Sequence, residues 1–213
     1  MAVAAYDAHA DWYEAFASDT SSDYMTRVRG RLGDLLGPGS GRCLDLCCGT
    51  GLQAAELRRL GWAPVGLDLS AGQLRHARPR LPVARADAAA LPVACVLAHT
   101  DVPDYAAVVA EVARVLAPGG RFVHVGVHPC FTGAFADRSD PQRIVIDGGY
   151  AERERSFRAW TPHGVRVRVG AWHVPLADLL NAVTDAGLTL VRTVEAGSGP
   201  VPDLFGFLAT RPA

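Results

Sequence analysis

The chain has no lysine: all 21 basic residues among its 213 are arginine. Beside so many alanines, that absence reads as the compositional bias of a GC-rich coding sequence rather than a functional choice. An excess of charge of either sign is lacking as well. The 22 acidic residues leave a formal net charge of −1 and a pI near 6.6, which gives no support to binding of nucleic acid or an anionic membrane. No apolar run approaches the roughly 18 residues that a bilayer span needs. No basic stretch followed by an apolar one opens the sequence, so a secretory leader is not expected. The five cysteines (Cys43, Cys47, Cys48, Cys95 and Cys130) form no C-x-x-C pair and no metal-ligand spacing with histidine. No metal is expected, and small buried thiols in a reduced, cytoplasmic protein are. Internal repeats and low-complexity linkers are absent too. The composition is 49% hydrophobic with a mean hydropathy of +0.12. That supports a sizeable core and one α/β domain.

Periodicity then alternates along the chain. Cys43, Leu44 and Leu46 read as a strand, and Leu52, Ala55 and Leu60 follow at helical spacing up to Gly61, a suitable stop. Residues 64–67 predict a second strand ending at Asp68. Ser70 with Gln73 forms a capping-box pattern, and Pro79 to Pro82 breaks that helix. Residues 83–86 predict a third strand ending at Asp87, and Val93 to Ala98 a fourth, buried one. Pro103 fits the first turn of a helix with an apolar face of Val108, Val109, Val112, Val115 and Leu116. Pro118-Gly119-Gly120 ends it before a strand over 121–127. Such alternation argues for βαβ units and a mostly parallel sheet covered on both sides. Residues 128–164 lose periodicity, which suggests functional cover. Val165 to Val169 alternates like a strand, Pro175 starts a helix that stops at Gly187, and 188–194 and 204–209 close the chain as strands.

The most informative stretch is Leu44-Asp45-Leu46-Cys47-Cys48-Gly49-Thr50-Gly51. A strand, a glycine turn and a helix in succession make a nucleotide-type site, because the backbone can approach a ligand and the helix start offers free N–H groups. Asp45 sets this turn apart. A carboxylate there repels a pyrophosphate and welcomes a cation, which points to S-adenosylmethionine, with its ammonium and sulfonium, rather than to a dinucleotide. Asp68 ends the second strand, where a carboxylate accepts from both hydroxyls of a ribose. Asp87 ends the third and can accept from an adenine amine. Open α/β sheets bind ligands at such strand ends, although any one of these aspartates could be an ordinary loop or N-cap residue.

These motifs (LDLCCGTG at 44–51, GLDLS at 66–70, RADAAALP at 85–92 and EVARVLAPGGRFV at 111–123) resemble the class I S-adenosylmethionine-dependent methyltransferases. The resemblance is strong over residues 40–127 and looser over the final helix and strands. It implies a seven-stranded, mostly parallel Rossmann-like sheet, with helices on both faces in a three-layer sandwich and a C-terminal antiparallel hairpin. It implies one domain: a helical cover over 1–40, a cofactor core over 41–127, a substrate lid over 128–174 and a closing helix and strands over 175–213. It also implies roles. Asp45, with the backbone of Cys47 and Gly49 in the turn that Gly51 completes, would hold the methionyl group. Asp68 would hold the ribose and Leu69 and Gln73 the adenine. Asp87, Ala88 and Cys95 would complete the adenine pocket. Tyr13 would lie over the cofactor or simply pack. The chain departs from the pattern in two places: Cys47 replaces the first glycine of the turn, and the segment between Asp87 and the fourth strand is short.

Methyl transfer needs alignment and dryness, and a base only where the acceptor must lose a proton. His99 and His128 follow the fourth and fifth strands and could be that base, or could cap the strand ends; His128, opening the variable segment, is the better candidate. His173, Tyr150 and Trp160 could line an acceptor pocket, Tyr150 and Trp160 together with Phe157, or pack on the domain. Arg153, Arg155 and Arg158 are a solvated face or a contact for an acidic substrate group. The expectation is methyl transfer to an O, N or C atom of a small molecule, with no nucleic-acid or membrane partner and no support for an oligomer. A nicotinamide dehydrogenase and a non-catalytic cofactor binder are the rivals.

Overall fold

A computed structural model describes residues 4–19, 23–87, 98–140, 142–159 and 164–213. Two helices, α1 (Ala10–Asp19) and α2 (Asp23–Leu36), precede the first strand. Then come β1 (Arg42–Leu46), α3 (Ala54–Arg59), β2 (Ala63–Asp68), α4 (Ala71–Ala77) and β3 (Val83–Arg85). The second half holds α5 (Tyr105–Val115), β4 (Arg121–Val127), β5 (Ala136–Asp140), β6 (Arg143–Ile146), α6 (Val165–Val169), α7 (Leu176–Asp185), β7 (Thr189–Ala196) and β8 (Leu204–Thr210).

Strands β1, β2 and β3 form a parallel sheet in that order, with Asp45 opposite Gly66 and Gly66 opposite Val83. A second sheet has the order β4-β8-β7, with β8 antiparallel to both neighbours, so the chain closes on the expected hairpin. The alternating βα order makes the fold Rossmann-like α/β. The described strands do not form one sheet of seven: they form two of three strands each and the separate pair β5-β6. Most of the expected fourth strand, residues 93–97, lies outside the described residues.

Helices cover both faces. Phe122 belongs to a buried cluster with Val108, Val109 and Val112 of α5 and Leu179 and Val183 of α7. Its neighbour Val123 points the other way, into a cluster with Val28, Leu32 and Leu35 of α2 and Leu57 of α3. Successive strand residues face opposite sides, so this one step in sequence fixes which helices lie on which layer.

Local chemistry sets the helix starts. Ser70 Oγ accepts from Gln73 N at 3.1 Å, but the return half of the capping box is missing, because Ser70 N–H donates to Asp68 Oδ1 at 2.8 Å. Asp104 caps α5 by accepting from Ala107 N, which leaves Pro103 just outside the helix rather than in its first turn. The segment Val165–Val169 corrects its sequence reading: it is a short helix, not a strand. A strand needs a partner edge for its N–H and C=O groups, whereas one helical turn begins to satisfy its own. Gly164 and Gly170 bound that turn, and Gly170 has a φ of +68°. The hairpin β5-β6, with an irregularity between Asp137 and Asp140, occupies a segment whose sequence shows no strand alternation.

Three polar rings lie inside the core. The His99 and His124 centroids are 4.9 Å apart, and Tyr105 Oη meets His124 Nδ1 at 2.8 Å. Burial holds His99 down to about 3 and His124 well below the ordinary histidine value. Both imidazoles are therefore neutral in the native state and take up a proton more readily once unfolded. Each contributes stability that is present above about pH 6.5 and lost as pH falls below it, for His99 until about pH 3. Urea denaturation should show roughly 2 kcal/mol lost through His99 by pH 5, and His99→Leu should remove that part of the loss; an unchanged slope in the variant would refute the assignment.

Candidate functional site

The backbone between β1 and α3 turns sharply at the sheet's carboxyl edge. Cys47, in the position where a glycine is usual, has a φ of +52°, the one non-glycine residue with a positive φ among those described. Gly49 and Gly51 are also left-handed, at +54° and +77°. The turn is held from the neighbouring strand: Cys48 N donates to Leu67 O at 2.9 Å, and Gly49 N donates to Asp68 Oδ2 at 2.8 Å. Gly51 serves packing instead of a ligand. A Cβ there would stand 2.6 Å from Leu81 Cδ2, and Gly51 does not border the cavity beside the turn.

That cavity has a volume of about 420 Å³. Asp45, Cys47, Gly49 and Gln53 line it from β1 and its turn; Asp68, Leu69, Ser70 and Gln73 line it from β2 and α4; Asp87 follows β3. Tyr6 and Tyr13 come from the N-terminal segment, and Thr100, Asp101 and Val102 from the chain before α5. Arg155, Val169, Gly170 and Trp172 complete the wall.

The N-terminal segment is strapped down by acidic side chains at one-turn spacing. Asp7 Oδ1 accepts from Ser70 Oγ at 2.6 Å and Gly72 N at 3.0 Å, Asp11 meets Arg75 and His76, and Glu14 pairs with Arg80 at 2.5 Å. The Asp11 contacts are exposed and add little. The Glu14–Arg80 pair is partly shielded, and Arg80 also donates to Thr50 O at 2.7 Å, fastening the helix to the turn. Tyr6 and Tyr13 meet edge to face at 5.3 Å over the cavity.

Asp45 is 3% exposed, and its Oδ2 has no hydrogen-bond partner among the described residues. Burial first, and the nearby Asp68 second, push its carboxyl up to about 7. Gln53 Oε1 and Gln73 Oε1 are likewise buried acceptors without a donor. A buried anion with open lone pairs is costly unless a cation or donor meets it. An ammonium beside Asp45 and amine or hydroxyl donors at the two glutamines fit this set; a pyrophosphate does not. Asp68 is also pushed up by burial, although Gly49 N–H and Ser70 N–H oppose the shift. Leu69 N–H opposes it too, and a vicinal diol would satisfy the lone pairs that remain.

Of the residues expected from sequence, Tyr13, Asp45, Cys47, Gly49, Asp68, Leu69, Gln73 and Asp87 come together on the cavity. Ala88, Cys95 and Trp160 lie outside the described residues. The proposed bases do not reach it. His99 is locked in the buried ring cluster and is absent from the cavity wall. His128 Nε2 meets Glu195 Oε1 at 2.7 Å, its Nδ1 accepts from Cys130 N at 3.1 Å, and its ring stacks on Phe131. Both nitrogens are engaged, so His128 ties the end of β4 to β7, the capping alternative. Tyr150 and His173 form a separate cluster with Phe135, where Tyr150 Oη accepts from Leu176 N. Sequence reasoning missed Tyr6, Asp101 and Trp172; of the Arg153, Arg155 and Arg158 run, it is Arg155 that borders the cavity. Asp101 sits just past the end of the expected fourth strand, as Asp45 and Asp68 sit at theirs, and that position was the available signal.

A glycine turn on a Rossmann-like edge, a buried cation-seeking carboxylate and a second carboxylate on the next strand define a nucleoside-cofactor site of the S-adenosylmethionine kind. Residues 43–120 match the family described as a methyltransferase domain. The chain is 31% identical over 148 residues to a demethylmenaquinone methyltransferase of Corynebacterium kroppenstedtii, covering 60% of this chain and 65% of that protein. It is 38% identical over 97 residues to one from Mycobacterium sp. strain KMS, covering 41% and 42%. It therefore spans less than two thirds of the length of these relatives. Among solved structures, an S-adenosylmethionine-dependent methyltransferase from Mesorhizobium loti superposes with a TM-score of 0.68 at 24% identity, over 87% of this chain and 96% of that one. The glycopeptide N-methyltransferase MtfA, solved with S-adenosylmethionine, gives 0.62 at 18%, over 86% and 92%. These likenesses concern the fold.

Asp45 has a folded pKa above its unfolded value, so its ionisation costs the unliganded protein stability as pH rises from about 4 through 7. Asp45→Asn should therefore raise the melting midpoint at pH 8, and the difference should close near pH 4. The same variant should lose cofactor binding. A lower midpoint at pH 8 would contradict the uncompensated charge.

Proposed function

We propose that this protein transfers a methyl group from S-adenosylmethionine to an O, N or C atom of a small molecule. The observation that carries the reading is the buried Asp45 carboxylate beside the Gly49 turn, whose Oδ2 has no hydrogen-bond partner among the described residues, with Asp68 on the adjacent strand. When bound, the cofactor supplies an electrophilic methyl group. The chain's own part is to bind and orient. Asp45 would meet the methionyl ammonium, while Gly49 N–H, already given to Asp68 Oδ2, would shape the turn around the methionyl group and not bond its carboxylate. Asp68 would take the ribose hydroxyls, and Leu69, Gln73 and Asp87 the adenine. Tyr6 and Tyr13 would cover the cavity and exclude water, which strengthens every charge interaction inside it.

The cavity volume suits a cofactor and a modest acceptor, and aromatic walls from Tyr6, Tyr13 and Trp172 favour a flat one. A demethylmenaquinone-like acceptor is the specific form of this reading, supported by the names of the two sequence relatives. The single-domain division, with residues 128–174 as cover, and a seven-stranded, three-layer sheet belong to the same proposal. So does a cytoplasmic setting, in keeping with the free thiols of Cys43, Cys48 and Cys130. No helix among the described residues is long and apolar enough to cross a membrane.

Calorimetric titration with S-adenosylmethionine and S-adenosylhomocysteine tests the reading. Micromolar binding is expected, and Asp68→Ala should weaken it at least about 100-fold, since that change removes two charge-assisted hydrogen bonds to the ligand and frees the Gly49 turn. Tighter binding of NAD than of either ligand would overturn it.

A further inference from the structure

Asp101 is a third carboxylate on the same cavity, and cofactor holding by Asp45 and Asp68 leaves it without a role. It follows the buried Ala98–His99 pair, and Asp101 N donates to Ala98 O at 2.9 Å. Tyr6 Oη donates to Asp101 Oδ1 at 3.0 Å, the one side-chain hydrogen bond to this carboxylate among the described residues. Asp101 is exposed, and solvent reaches its carboxyl where it lines the cavity. The charged and titratable groups that face it are Tyr6 and Tyr13 from the N-terminal segment, Asp68 from β2, Arg166 from α6 and Arg155 from the strand-like stretch before it.

We propose that Asp101, gripped by Tyr6, takes the proton that the methyl acceptor gives up, so that the acceptors of this site are hydroxyl or amine compounds that arrive protonated. The proposal rests on the methyltransferase reading above. In the balanced step the acceptor's lone pair forms the bond to the methyl carbon, the carbon–sulfur pair returns to sulfur, and the acceptor's proton passes to Asp101. Charge explains the assignment. A carboxylate that merely sat beside the sulfonium would stabilise the charge that transfer removes, and would oppose the reaction. A carboxylate that is protonated as the sulfonium is neutralised leaves no uncompensated anion in the closed cavity. Asp101 suits this exchange. Burial first, then Asp68, push its carboxyl up to about 7 against the Tyr6 hydrogen bond and the two arginines. A base poised near neutrality is the efficient one. Of the histidines nearest in sequence to the expected site, His99 is buried off the cavity wall and His128 is held by Glu195.

The exchange has a signature that needs no acceptor. S-adenosylmethionine and S-adenosylhomocysteine share the ammonium that Asp45 would meet and differ in the sulfonium. Binding of the cation should therefore expel a proton from Asp101 that binding of the neutral homologue leaves in place. Calorimetry of the full chain at pH 7, in buffers of different ionisation enthalpy, should show a sizeable fraction of one proton between the two ligands. The preference for S-adenosylmethionine should grow up to about tenfold between pH 6 and 8. Asp101→Asn should abolish both effects while still binding S-adenosylhomocysteine. Tyr6→Phe, which removes the hydrogen bond that favours ionisation, should move the midpoint to higher pH. Equal proton release for both ligands, or a difference that survives in Asp101→Asn, overturns the proposal and leaves the methyltransferase reading intact. Failure of the wild-type chain to bind either ligand overturns that reading itself.

Discussion

Asp68 is the joint on which the site is built. Its two oxygens accept Gly49 N–H and Ser70 N–H, both at 2.8 Å, so one side chain at the end of β2 holds the turn after β1 and the start of α4. Parallel pairing supplies the register that makes this possible, since Leu46 stands opposite Leu67 and Cys48 N reaches Leu67 O. A strained turn, with Cys47 in the left-handed region, survives only where its surroundings over-determine it. Here the determinants are the Asp68 bond, the neighbouring strand, and Arg80 on Thr50 O.

The cavity that results is acidic in a particular way. Asp45, Asp68 and Asp101 are each pushed toward the neutral form by burial, and each lies near another carboxylate. Such an arrangement is a poor device for stability, because a buried anion without a counter-charge costs free energy. It suits a ligand that brings positive charge and loses part of it. The surrounding polar straps, Asp7 to Ser70 and Glu14 to Arg80, keep the N-terminal tyrosines over the opening at modest cost.

The histidines show how far pattern reading reaches. His99 follows the fourth strand expected from sequence, and His124 and His128 lie on and just after β4; position alone makes His99 and His128 candidates for chemistry. The tertiary structure turns His99 and His124 into a neutral buried pair with Tyr105, and uses both nitrogens of His128 to join β4 to β7 through Glu195. Which way an imidazole points depends on its neighbours across the sheet, and those are set by pairings 67 residues apart in the chain for His128 and Glu195.

By itself the sequence determined the alternating βα order, the glycine turn, the helix starts at Ser70 and ahead of Tyr105, the closing hairpin and the acidic strand ends. All of these rest on local propensity, periodicity or fixed short spacing. Tertiary structure alone decided that Val165–Val169 is a helical turn between Gly164 and Gly170. It also decided that Gly51 packs on Leu81, that Tyr150 and His173 belong to another cluster, and that Tyr6 meets Asp101 across 95 residues. Contacts of that separation leave no trace in a single sequence, since neither partner constrains the residues adjacent to the other. The methyl donor's site was therefore legible from local pattern, whereas the group placed to receive a proton emerged only when the chain was folded.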